Sequence, residues 1–118
     1  MSAEQRQFKR VLAQRFGGCV VKLNEPRQLT AVLVDISVGG MKILIEHSHG
    51  PGGLQQGAAV LGQLHNDNPS FHMGIQATVA WLRPTVIDNE EAFLLGLRFA
   101  DYTELPEALM HLIEAYDN

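Results

Sequence analysis

The chain has one cysteine, no long apolar run and little basic charge, and each shortage removes a class of protein. Cys19 alone cannot form an internal disulfide, and a lone thiol fits a reducing cytoplasm. No apolar run approaches the roughly 20 residues of a membrane-spanning helix. The first residues are polar and lack the apolar core of a secretory signal, so a cytoplasmic protein is expected. Nine Lys and Arg stand against thirteen Asp and Glu, a net charge of −4. The imbalance is uneven: residues 1–27 hold six basic and two acidic residues, and residues 28–118 hold three basic and eleven acidic. Nucleic acids are bound through many phosphates and require a broad basic face. One small basic patch on an acidic body suits a small anionic ligand better than DNA.

Catalytic groups are equally scarce. No Ser or Cys stands in a nucleophile elbow or a dyad context. His47, His49, His65 and His72 have no Cys or carboxylate at a familiar ligand spacing around them. Neither a metal site nor an enzyme is expected, and a small nucleotide hydrolase is the least favoured reading.

What the chain does have is short, β-rich runs. At 118 residues it fits one domain, large enough to be stable without metal or disulfide. Cys19–Leu23, Gln28–Val34, Met41–Glu46, Ala58–His65, Phe71–Leu82 and Ala92–Phe99 read as six strands. The second is expected to end at Asp35 and the fifth at Arg83-Pro84. Turns of a few residues between them imply antiparallel neighbours, hence a six-stranded antiparallel β-barrel. In the fifth run Met73, Ile75, Ala77, Val79 and Trp81 share one alternating face, which makes Trp81 a core residue. A place at the rim of a ligand site is its alternative reading. From Thr103 the spacing becomes helical, through Leu105, Leu109, Leu112, Ile113 and Tyr116. Thr103 is then an N-cap and Pro106 lies in the first turn. The expected layout is a flexible arm over residues 1–12, a barrel over 17–99 and a C-terminal α-helix over 103–116, crossing an open barrel end or facing a partner.

Two clusters carry the chemistry. Asp35 and Ser37 are two apart, so on an extended backbone they face the same way. Gly39-Gly40 offers positive-φ freedom for a tight turn, and bare backbone that a ligand can approach. A carboxylate acceptor and a hydroxyl suit the edge of a guanine; the same residues are also ordinary turn formers. Upstream, Arg6 and Arg10 flank Lys9. As a helix they would form a solvated stripe, whereas in an extended arm they would reach opposite sides of a compact ligand.

Arg-x-x-x-Arg, as Arg6 and Arg10, followed by Asp-x-Ser-x-x-Gly, as Asp35, Ser37 and Gly40, resembles the two-part signature of PilZ domains, bacterial receptors for cyclic di-GMP. Ala77–Leu82 and Leu95–Phe99 resemble later strands of that family, so the likeness runs from Arg6 to about Tyr116. It implies that Arg6 and Arg10 clamp the phosphates and one guanine edge, Asp35 and Ser37 read the other guanine, and Gly40 keeps the turn open. Lys9 and Trp81 are lesser candidates. Gln5 and Gln7 stand where the family often has further arginines, which leaves the number of bound ligand molecules open. Arg98 is expected to pair with a surface acid. The resemblance implies no cofactor and no catalysis. Output would pass through an effector protein acting in motility, pilus function, exopolysaccharide synthesis or virulence. An adaptor that keeps the barrel and binds no nucleotide is the alternative.

Overall fold

The structure, a computed structural model, describes residues 11–12, 17–47, 52–68, 70–100 and 104–115. These form strands β1 (Val11–Leu12), β2 (Gly17–Glu25), β3 (Leu29–Ser37), β4 (Gly40–Glu46), β5 (Ala59–Asn68), β6 (Ser70–Ile87) and β7 (Glu90–Phe99), then helix α1 (Glu107–Ala115). Every pairing is antiparallel. The order β3-β2-β5-β6-β7-β4 returns to β3 through the β3–β4 pairing, so six strands close a ring. The short β1 adds to the distal half of β3, with Val11 opposite Ile36 and Leu12 opposite Asp35.

Alternation fills the interior. Val21 and Leu23 of β2, Ile43 and Ile45 of β4, Leu64 of β5, Ile75 and Val79 of β6, and Leu95 of β7 are all buried in one apolar cluster. Burial on this scale contributes roughly 1.5–3 kcal/mol for each large aliphatic side chain, and it fixes the register, because a one-residue slip would turn these side chains outward. Leu109 of α1 is fully buried in the same cluster, and Leu105 and Ala108 pack against it. Among the described side chains of the helical stripe, Leu109 is therefore part of the core and Leu105 packs against it.

Several boundaries differ from those expected, each for a local reason. β3 runs past Asp35 to Ser37, and only Val38 and Gly39 form the turn to β4. β5 and β6 stay paired through Asp67 and Ser70, so the Asn66–Asn68 stretch is strand. β6 continues through Arg83-Pro84 to Ile87. Its β5 partner stops at Thr78, with the Val79 backbone still bonded to Gly57 and Ala58, and by Pro84 the described pairing of β6 is with β7 alone. Proline is tolerated on such an edge because no ladder donor is lost there. The hairpin then closes in two residues, Asp88 (φ 50°) and Asn89 (φ 67°). Both lie in the left-handed region that a type I′ turn requires and that Asp and Asn tolerate. Pro106 precedes α1 instead of lying in its first turn: the Met110 N–H donates to the Pro106 carbonyl at 3.0 Å, which makes Pro106 the capping position. Thr103 lies outside the described residues.

Two bulges matter for the site. On β3, Leu33 faces Ile43 and Asp35 faces Lys42, which leaves Val34 without a partner on β4. The inward parity thereby switches from Ala31 and Leu33 to Ile36, and Asp35 and Ser37 fall on the other side. On β6, Val79 faces Leu97 and Trp81 faces Gly96, so Ala80 is the extra residue. Leu82 then packs on the core, while Trp81 is half-buried outside it. The assignment of Trp81 to the core is thus corrected by a bulge that strict alternation could not reveal.

Candidate functional site

The β3–β4 hairpin and the middle of β6–β7 meet at a pocket of about 200 Å³, lined by Ser37, Gly39, Met41, Lys42, Ala80, Trp81, Gly96, Leu97 and Arg98. Backbone pairing holds the walls together: Gly40 lies opposite Arg98, and the Phe99 N–H donates to the Gly39 carbonyl at 3.0 Å.

Gly40 is the first residue of β4, and its φ is outside the left-handed region. Positive-φ freedom is therefore not why glycine stands there. A Cβ at this position would overlap the Leu97 carbonyl oxygen, so the requirement is close approach of two backbones. Gly96 has a parallel role, since a Cβ there would run into the Trp81 indole. The ring lies over the bare backbone of Gly96, and the Arg83 guanidinium sits 4.4 Å from the ring centroid in a cation–π contact.

Ser37 is 1% exposed. Its hydroxyl accepts from the Gly39 N–H at 3.2 Å and donates to the Gly40 carbonyl at 3.5 Å, so it braces its own turn while lining the pocket. Asp35 is 4% exposed, and its Oδ2 lies 3.5 Å from Nζ of Lys42, its cross-strand neighbour. Burial of a carboxylate is costly unless a cation or hydrogen bonds accompany it.

The structure thus brings Asp35, Ser37, Gly40 and Trp81 to one side of the barrel. Arg6, Lys9 and Arg10 lie outside the described residues. Val11, the residue after Arg10, pairs with Ile36, which lies between Asp35 and Ser37. Three residues were missed. Lys42 was legible only as a strand residue, and Arg83 only as a strand end. Arg98 is exposed on the pocket wall, and among the described residues it has no ion-pair partner. Glycine within a strand pattern, as at Gly96, was the available signal of close approach.

A second concavity of about 320 Å³ lies across β2, β5 and β6, lined by Val20, Lys22, Gln63, His65 and His72. His65 contacts Asp67 at 2.9 Å and His72 contacts Gln63 at 3.2 Å. Among the described residues, no three His, Cys, Asp or Glu groups converge as metal ligands. Burial pushes the Cys19 thiol up from 9.0 to about 11, which leaves it protonated and a poor nucleophile at neutral pH. No helix among the described residues is long and apolar enough to cross a membrane.

A family model of the PilZ domain matches residues 4–116. The chain belongs to the PilZ domain family. Solved structures carry the same fold. The MrkH–c-di-GMP complex of K. pneumonia superposes with a TM-score of 0.71 at 15% identity, covering 95% of this chain and 50% of that one. The Bacillus subtilis inhibitor of motility, MotI/DgrA, gives 0.64 at 15% identity, covering 95% and 49%. The PilZ domain of YcgR from Escherichia coli, solved with c-di-GMP, gives 0.65 at 24% identity, covering 96% and 92%. This PilZ chain therefore spans about half the length of the first two. Comparison with curated protein sequences gives no match.

Proposed function

We propose that this PilZ chain is a cytoplasmic receptor for cyclic di-GMP, without catalytic activity, that regulates a partner protein. The observation that carries the reading is the β1–β3 register. Val11, which follows Arg10 in the sequence, lies opposite Ile36, the residue between Asp35 and Ser37. In this reading the two halves of the signature, some 25 residues apart in sequence, serve one ligand. MrkH and the YcgR PilZ domain, which share the fold, were solved with this ligand.

In this reading Arg6 and Arg10 bind the two phosphates and a guanine edge, for which a planar guanidinium is suited. Asp35 accepts from the N1–H and N2 amine of the other guanine, and Ser37 and the Gly39-Gly40 backbone flank it. Trp81 supplies an aromatic wall, with Lys9 adding charge. Calorimetric titration with cyclic di-GMP, with GTP and the linear dinucleotide as controls, tests the proposal. Arg10→Ala is expected to lower affinity at least tenfold, since a charge-assisted hydrogen bond is worth about 1.5–3 kcal/mol and about 1.4 kcal/mol is tenfold. Unchanged binding would remove Arg10 from the site.

The nucleotide-free adaptor reading draws support from one observation: the Ser37 hydroxyl is already used by its own turn. Absence of heat at every nucleotide concentration would favour it.

Signal transfer is assigned to the segment that carries the arginines. Arg6, Lys9 and Arg10 repel one another until two phosphates neutralise them, and ordering a backbone costs about 1–2 kcal/mol per residue. Binding would offset that cost and remodel the surface offered to the partner. Hydrogen exchange over residues 1–12 is expected to slow at saturating ligand. Equal protection with and without cyclic di-GMP would refute this switch while leaving binding intact.

A further inference from the structure

Strand register arranges the outside of the barrel beside the pocket into two rows. Ser37, Gly40 and Arg98 are successive cross-strand partners on β3, β4 and β7, and Asp35, Lys42 and Gly96 form the second row. Ile36, Met41 and Leu97 lie between the rows and are buried in the core. Alternation therefore puts both rows on the opposite face. Gly40 has no side chain to stand between Ser37 and Arg98, whose backbones are about 9–10 Å apart, two strand spacings. The result is a floor of bare backbone, with a hydroxyl on one flank and a guanidinium on the other.

The cations around this floor are not equivalent. Nζ of Lys42 is 3.5 Å from Oδ2 of Asp35. The Arg83 guanidinium lies over the Trp81 ring, 4.4 Å from its centroid. Arg98 is exposed on the pocket wall, and among the described residues it has no ion-pair partner.

We infer that Arg98 is a further binding residue of this pocket, its guanidinium taking a phosphodiester of the ligand. The inference rests on the cyclic di-GMP reading and deepens it. In that reading the N1–H and N2 edge of one guanine points at Asp35 on β3. The glycosidic N9 lies across the ring system from N1. A base laid over the Gly40 floor therefore sends its ribose and phosphate away from β3, towards β7, where Arg98 stands. The two non-bridging oxygens of a phosphodiester match the planar fork of a guanidinium. Arg98 thus joins Arg6 and Arg10 at one of the two phosphates. Lys42 adds a second positive charge on the same wall, so the local potential favours an anion before any contact forms. Because phosphate carries no base identity, Arg98 contributes affinity and leaves guanine selectivity to Asp35.

Arg98→Met keeps most of the stem, and Arg98→Lys keeps the charge without the fork. Both are titrated calorimetrically with cyclic di-GMP and cyclic di-AMP at low and high salt. Arg98→Met is expected to weaken cyclic di-GMP by at least about tenfold. Cyclic di-AMP should weaken by the same factor, so the ratio between the two dinucleotides holds. The deficit should shrink as salt is added, because a solvent-facing charge is screened. Arg98→Lys should fall between wild type and Arg98→Met, and unfolding midpoints of all three proteins should agree. Unchanged affinity in Arg98→Met overturns the inference. So does a loss confined to cyclic di-GMP, which puts Arg98 at a guanine edge. A loss that is equal at both salts and comes with a lowered unfolding midpoint overturns it too, making Arg98 structural. If wild type itself gives no heat with cyclic di-GMP, the receptor reading fails and the Arg98 contact falls with it. Heat from wild type matched by equal heat from Arg98→Met removes Arg98 alone.

Discussion

Gly40→Ala is expected to destabilise the domain by about 3 kcal/mol, the upper end for an overpacked site, while Gly74→Ala should be neutral or stabilising. The two glycines sit in strands of the same barrel and differ in what a methyl group would meet. At Gly40 the Cβ overlaps the Leu97 carbonyl oxygen and comes within 3.2 Å of the Leu97 carbonyl carbon and 3.3 Å of the Arg98 Cα. All three are backbone atoms of β7, so no rotamer change relieves the clash, and β4 must move away from β7. That seam is one of those that close the ring. At Gly74 nothing lies within 4 Å of the added atom, and alanine in a strand gains roughly 0.5–1 kcal/mol over glycine through the unfolded chain. Urea unfolding of both variants provides the measurement. A loss of 3 kcal/mol is a large share of the roughly 5–15 kcal/mol that holds a domain folded. Equal midpoints for the two variants would show that close approach is not why glycine stands at position 40.

The motif glycine illustrates how far the sequence could be read. Strand-rich runs with short turns were enough for an antiparallel barrel, because alternation of Ile43 and Ile45, or of Ile75, Ala77 and Val79, states directly which side is buried. The ring closes as that pattern demands. Alternation failed where a bulge adds one residue. Val34 and Ala80 leave no mark in composition, yet they put Asp35 and Ser37 outside the core and move Trp81 from the expected interior to the pocket wall. Proline misled as well. Pro84 reads as a strand end, but β6 lacks a β5 partner there and loses nothing by keeping it. The signature residues were legible one at a time. That Lys42 faces Asp35, and that Arg98 stands opposite Gly40, are facts of register between strands that are distant in sequence or separated by a turn. No local pattern encodes them.

Asp35→Ala should abolish guanine recognition while the fold survives. In the proposed complex Asp35 accepts two hydrogen bonds from one guanine, each charge-assisted and worth about 1.5–3 kcal/mol. Lys42 competes for the same oxygens in the free protein, 3.5 Å from Oδ2, so part of that energy is spent in displacing it. A net loss of about 3 kcal/mol is left, which is roughly a hundredfold in affinity. Adenine has neither an N1–H nor an N2 amine, so cyclic di-AMP gains nothing from Asp35 and its weak affinity should barely change. The ratio between the two dinucleotides should therefore collapse towards one. Stability follows a separate logic. Removing one partner of a buried ion pair is damaging when the other charge is stranded, but the Lys42 side chain is 22% exposed and its ammonium can turn to water. Unfolding midpoints of variant and wild type should accordingly lie close together, and paired titrations with the two cyclic dinucleotides supply the binding comparison. Should the variant discriminate between them as well as wild type does, Asp35 is only a strand residue held by Lys42, and guanine must be read elsewhere on the barrel.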